Sequence, residues 1–204
     1  MKIIFDHSHG LIIDNRVFCE AFVVPENETY DDLIELGWLP SVQPPIYWYQ
    51  SKSCRVNYDK IKFSYKRKKI ILSLSYEIIK YVDHKIEVDN FFEVYFCDKD
   101  VDFKLYYDKN SNFDDINVLK VIYNEQVVGY IRFLSLDRNI LGLETSYVYD
   151  YPKMSLGINS IVLLAKYVKQ QNKSHLYIYE SYADYFPYKL EIPGVEFWEG
   201  EKWI

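Results

Sequence analysis

Residues 142–180 decide the fold: Gly142-Leu-Glu-Thr-Ser-Tyr-Val-Tyr-Asp150, Tyr151-Pro-Lys-Met-Ser-Leu-Gly-Ile-Asn159, an apolar-periodic run to Gln171, and His175-Leu-Tyr-Ile-Tyr-Glu180. The pattern is strand, tight loop, helix, strand. Tyr147, Val148 and Tyr149 belong to a β-rich run, and Pro152 stops it because proline cannot donate to a ladder. Ser155 stands where an N-cap side chain would bond the first-turn amides. Ile158, Ile161, Val162, Ala165 and Val168 recur at helical spacing and predict a helix over Ser155 to Gln171. A helix start after a loop carrying Gly157 offers free N–H groups and the positive end of a dipole to an anion. The same spacing also describes a plain crossover helix with no ligand, because a single Ser-Leu-Gly has little specificity.

Working outward, Val118 to Tyr123, a turn at Asn124-Glu-Gln126, Val127 to Leu136 and a turn at Asp137-Arg-Asn139 form a three-strand meander feeding that helix. Before it, Asp89 is the expected cap of a helix over Asn90 to Phe96, and Lys109 to Asn112 is a turn cluster. Residues 1 to 25 read as strands, with Arg16 to Val24 rich in β-branched and aromatic types. Thr29-x-x-Asp32 predicts a capping box, with a helix running to Leu36 and Gly37 as its left-handed terminator. Ile46 to Ser51 and Tyr76 to Val82 read as further strands. The expected class is α+β, with a β-rich N-terminal subdomain over 1–85 and a second domain over 86–204.

With 204 residues, 49% hydrophobic and 18% aromatic, the chain can bury a sizeable core. The 21 tyrosines favour strands and surfaces that are apolar in body and polar at the tip. A net charge of −6 argues against a coat of positive charge for nucleic acid, though not against a local basic track. Cys19, Cys54 and Cys97 stand far apart, without a Cys-x-x-Cys pair. With no secretory signal at the start, they point to a reducing, cytoplasmic setting. No apolar run is long enough to span a bilayer. His7-Ser-His9 has no further ligand at metal spacing, so no metal is expected.

Lys60, Lys62, Lys66, Arg67, Lys68 and Lys69 fall within ten residues without an acid, interleaved with Phe63 and Tyr65. Basic groups neutralise phosphates and aromatics stack on unpaired bases. A solvated charged face beside a core strand is the competing interpretation.

Several segments, in order along most of the chain, resemble arginyl- and leucyl-tRNA–protein transferases. They are Leu33-Ile-Glu-Leu-Gly-Trp38, Cys54-Arg-Val56 through Phe63-Ser-Tyr-Lys-Arg-Lys-Lys69, Ser146-Tyr-Val-Tyr-Asp150 and Ser155-Leu-Gly157. His175-Leu-Tyr-Ile-Tyr179, Tyr188-Lys189 and Val195 to Trp203 complete the set. The resemblance implies a GNAT-like acyltransferase domain in the C-terminal half, matching the order of meander, helix and strand. It also implies aminoacyl-tRNA as co-substrate with no further cofactor, and a protein, peptide or small-molecule amine as acceptor. This chain departs from that family in lacking cysteines in its early region and in having Leu39 after Gly37-Trp38, where the family often has arginine.

An aminoacyl ester is already activated, so transfer requires a neutral amine beside the carbonyl, a proton acceptor and a site for the oxyanion. Glu144, Asp150, Glu180 and Asp184 are the acids near the central strands. Glu180, at the end of the strand after the helix, is the expected base, with Asp150 and Tyr147 as further catalytic candidates. The expected aminoacyl-tRNA contacts are Lys66, Arg67, Lys68, Lys69, Lys153, Ser155, Gly157 and Asn159. Tyr182, Asp184 and Tyr188 are expected to meet the acceptor. Two other functions fit the same sequence. One is an acetyl-CoA-dependent N-acetyltransferase, although Tyr151 to Asn159 lacks the Gln/Arg-x-x-Gly-x-Gly/Ala signature. The other is a non-catalytic binding protein on this scaffold.

Overall fold

The computed structural model describes residues 2–13, 16–40, 48–50, 53–99, 113, 115–180 and 187–204. The chain opens with β1 (Lys2–Ile13) and β2 (Arg16–Val24), an antiparallel pair. Helix α1 (Tyr30–Glu35) follows, started by the expected capping box: Thr29 Oγ1 accepts from Asp32 N–H and Asp32 accepts from Thr29 N–H. Gly37, at φ +77°, ends it, and the ring of Trp198 fills the space a Cβ would need. Strands β3 (Trp38–Pro40) and β4 (Trp48–Gln50) complete a four-stranded sheet in the order β1-β2-β4-β3.

The second sheet begins with β5 (Ser53–Val56). After it the basic segment forms a helix, α2 (Tyr65–Ser73), and no strand. Ser64 caps α2 by accepting from Arg67 N–H, which is why a run of charged residues with good helix propensity becomes helical here. Next come β6 (Ser75–Lys80) and α3 (Lys85–Asp98). Helix α3 starts four residues before the expected cap. Asp89 lies inside it, with its carboxylate bonded to Tyr81 Oη and Lys85 Nζ. The turn expected at Lys109 to Asn112 lies outside the described residues.

The meander is β7 (Asn117–Tyr123), β8 (Gln126–Ser135) and β9 (Ile140–Tyr147). Helix α4 (Leu156–Gln170) then crosses to β10 (Leu176–Glu180), and β11 (Val195–Phe197) closes the chain's strands. The sheet order is β11-β5-β10-β9-β8-β7-β6, antiparallel except for the central β9–β10 pair. A meander, a crossover helix and a parallel strand at mid-sheet make this a GNAT-like α+β fold. The boundary placed near Lys85 falls between β6 and β7, which are adjacent strands of this one sheet.

Helix α4 covers one face, packing Ile161, Leu164, Ala165 and Val168 onto Leu119, Ile131, Phe133 and Ile140. Its buried surface is wider than the predicted stripe, since Asn159, Ser160 and Leu163 are also buried. On the other face α1 seats Leu33 and Ile34 against Leu134, Leu141 and Tyr177, while α3 seats Val88 and Phe92 against Val118 and Tyr130.

Candidate acyl-transfer site

Strands β9 and β10 pair only at Leu176↔Ile140 and Tyr177↔Leu141. Beyond that point β10 bulges, with Tyr179 at φ +60°, and Glu180 keeps only its pairing with β5, at Ser53. Strand β9 runs on to Tyr147 with β8 alone. The two central strands therefore separate, and a cleft of about 490 Å³ opens where β9 ends, α4 begins and the last turn of α3 comes round. Ligands in sheets with parallel strands gather at such carboxyl ends.

Tyrosines form much of the wall. Tyr95 of α3 lies 5.2 Å from Tyr147 and stacks on Tyr149 with planes 8° apart. Tyr188 and Tyr151 add further faces. Tyr95 is buried, and desolvation pushes its phenol well above the ordinary tyrosine range, so its hydroxyl stays protonated. Lys99, just past α3, holds its Nζ 4.5 Å from the centre of the Tyr95 ring and 6.0 Å from that of Tyr147. It is the only charged side chain among the described residues lining the cleft.

The start of α4 forms the opposite wall through Ser155, Leu156, Gly157 and Ile158. Ser155 does not cap as expected. It sits at φ 45°, ψ 52°, in the left-handed region, and makes no side-chain cap bond. The Pro152–Met154 turn delivers the chain to the helix in that conformation, which carries the Ser155 side chain away from the first-turn amides. The first intrahelical amide bond is Asn159 N–H to Ser155 O, so the Leu156, Gly157 and Ile158 amides precede the ladder. Gly157 makes room for a neighbour of its own chain: a Cβ there would come 2.8 Å from Tyr147 Cε1.

Of the residues expected from the sequence, Tyr147, Ser155, Gly157 and Tyr188 meet in this cleft. Asn159 does not. It is buried, and its Nδ2 donates to Met154 O at 2.6 Å, closing the turn before α4. Lys153 and Asp150 are exposed beside the cleft and are not among its lining residues. Glu144 is paired with buried Arg132 at 2.7 Å on the face toward α3. Burial raises its pKa against the pull of that arginine. The backbone of Glu180 ends β10 at the separation of the strands, while Tyr182 and Asp184 lie outside the described residues.

Lys66, Lys68 and Lys69 are exposed on α2, and Arg67 is half-buried. The segments flanking α2 are tied to the last turn of α4, through Asp59–Lys169 and Tyr76–Gln170 hydrogen bonds. The cleft is at the other end of α4, about 20 Å away at 1.5 Å per residue. Tyr95, Lys99, Thr145, Tyr149 and Tyr151 also line the cleft and were not singled out from the sequence. Tyr95 and Lys99 are about fifty residues upstream, and no local motif links them to Tyr147.

No protein-family model matches the chain, and no curated protein sequence does. Solved structures resemble it in fold. The C-terminal domain of an Agrobacterium fabrum protein described as a lysylphosphatidylglycerol synthetase is 8% identical, with a TM-score of 0.47, over 79% of this chain and 54% of that one. A GCN5-related glucosamine N-acetyltransferase region of a fungal multi-domain β-N-acetylglucosaminidase is 13% identical, with a TM-score of 0.48, over 86% and 23%. A GCN5-related N-acetyltransferase from Kribbella flavida is 8% identical, with a TM-score of 0.42, over 73% and 52%. The chain thus spans about half or less of the length of these chains. Its own strand order, its central parallel pair and the separation of β9 from β10 are what identify it as a GNAT-like α+β protein.

Proposed function

We propose that this protein is an acyltransferase that moves an aminoacyl group from aminoacyl-tRNA to an amine, forming an amide. The observation that carries an acyl-transfer reading is the cleft at the end of β9, beside the point where the β9–β10 pairing has stopped, bordered by the first turn of α4. The amides of that turn suit a phosphate or ribose oxygen of the donor. The tRNA donor is supported by the ordered resemblance to arginyl- and leucyl-tRNA–protein transferases and by the exposed cations of α2. In this reading Lys66, Arg67, Lys68 and Lys69 track the acceptor stem, and Ser155 and Gly157 border the terminal nucleotide. Lys153 stands near its phosphate. No metal or further cofactor takes part, and the reaction is cytoplasmic.

The chemistry is the attack of a neutral amine on the ester carbonyl. The C–N bond forms, the ammonium proton passes to a base, and the C–O bond to the ribose breaks as that proton is returned to the departing ribose oxygen. Glu180 is the base proposed here, and its backbone ends β10, paired with Ser53. Asp150 is the next, and Tyr147 a relay within the cleft. Tyr188 meets the acceptor, with Tyr182 and Asp184 in the segment that follows β10. Acetyl-CoA is the alternative donor, favoured by the same amides, which suit a pyrophosphate equally well.

The test is incubation with a pool of charged tRNAs, and separately with acetyl-CoA, over a library of peptides and small amines, read by mass spectrometry. Aminoacyl mass additions that require charged tRNA are expected. Acetyl additions alone overturn the tRNA donor while leaving acyl transfer in place. No addition from either donor overturns the enzyme.

A further inference from the structure

The α3 side of the cleft has a chemistry of its own. Lys99 holds an ammonium over the faces of Tyr95 and Tyr147, and no described carboxylate lies within ion-pair distance of it. Cation–π contacts replace part of the lost hydration of that ammonium but do not neutralise it. The residue is exposed, and partial desolvation of its head group against the rings lowers its pKa. Tyr149 and Tyr188 keep about 45% and 40% of their surface exposed at the same rim. The Tyr147 ring stands between this cation and the amides of α4.

We infer that Lys99 and the tyrosines around it form an acceptor subsite for a small amine that carries a carboxylate on an apolar or aromatic body. The carboxylate pairs with Lys99, the body lies on the tyrosine faces, and the amine is left to point toward the start of α4. An acceptor with a second cation in place of the carboxylate would be repelled. This inference rests on the acyl-transfer reading for the word acceptor, whereas the binding it describes needs no donor.

Binding is therefore measured on the donor-free protein by calorimetry, with phenylalanine, phenylalaninamide and phenethylamine as probes. Phenylalanine should bind about tenfold or more tightly than the two analogues without a carboxylate, the usual scale for one charge-assisted pairing. Lys99→Met should collapse that difference and Lys99→Arg should retain it. Lys99 lies at the exposed end of α3, so both variants should keep the parent circular dichroism. Equal binding of the three probes, tighter binding of phenethylamine, or saturable binding by none of them overturns the subsite. So does a dependence on Lys99 seen with 5′-AMP and not with phenylalanine, which would give Lys99 to the donor's phosphate. If binding follows expectation while no amine is acylated from charged tRNA or acetyl-CoA, the subsite stands and the enzyme reading fails.

Discussion

The ring of Tyr147 occupies the space a side chain at residue 157 would take: a Cβ on Gly157 would sit 2.8 Å from Tyr147 Cε1 and 3.3 Å from Cζ. This contact joins the end of β9 to the first turn of α4 and sets the wall between the two halves of the cleft. Gly157→Ala gains about 1 kcal/mol of helix propensity, while overpacking against a ring costs about 1–3 kcal/mol. A net loss of about 1 kcal/mol is expected in urea unfolding. In a Tyr147→Leu background the same change should become stabilising, because the ring is gone. Additive effects of the two substitutions would show that they do not share this contact.

Arg138, in the turn between β8 and β9, bonds Asp32 and Glu35 of α1. The Arg138 and Thr29 bonds lower the Asp32 carboxyl to about 2. Glu35 is also lowered, burial raising it and the bonds from Arg138 and Asn139 outweighing that. Both folded-state values lie below the unfolded ones. Their contribution is therefore full above the ordinary carboxylate range and is lost as pH falls toward 2. Arg138→Ala should flatten the decline in urea midpoint between pH 5 and pH 2.5, and salt should flatten it in the parent, since both side chains of the Arg138–Asp32 pair reach solvent. An unchanged pH profile in the variant would mean the clamp does not act through these charges.

Local chemistry made much of this fold readable. The capping box at Thr29, the turn at Asn124-Glu-Gln126 and the apolar spacing of Ile158 to Val168 are each set by neighbours in sequence, and each formed as expected. Residue type alone left other choices open. The charged run at Lys66 to Lys69 gives no periodicity to separate helix from strand, and Ser64 settles it by capping. Ser155 looked like a cap because its side chain is suitable, but the turn from Pro152 fixes its backbone in the left-handed region instead. Asn159, expected as an aminoacyl-tRNA contact, is held inward by Met154 O. One side of the cleft comes from the end of α3, whose Tyr95 and Lys99 could not be picked out among 21 tyrosines and a common cation without knowing that α3 ends beside Tyr147.

On the tRNA reading, the exposed cations of α2 release counterions from phosphates. Lys66→Ala with Lys68→Ala keeps helix propensity and removes two charges. The log–log slope of tRNA affinity against salt should fall by about 2, close to 0.9 per lost phosphate contact. Binding should also weaken at low salt, measured by filter retention or anisotropy. An identical slope in parent and variant would move the tRNA path off α2, and the distance from this helix to the cleft makes that outcome informative.

Glu180 ends β10 where that strand leaves β9, pairing with Ser53 beyond the bulge at Tyr179. On the proposed transfer the ammonium proton needs an acceptor, and no described lining residue of the cleft is an acid. A base contributes mainly in the transition state, where the proton is in flight. Glu180→Gln should therefore lower kcat about a hundredfold or more, with little change in tRNA affinity. The loss should shrink as pH rises, because a larger share of the amine arrives already neutral and hydroxide competes as acceptor. That pH dependence separates a lost base from a damaged site, in which kcat would fall by the same factor at every pH. Transfer at the parent rate across the range would remove Glu180 from the mechanism, and Asp150→Asn would then be the variant expected to show the pH-dependent loss.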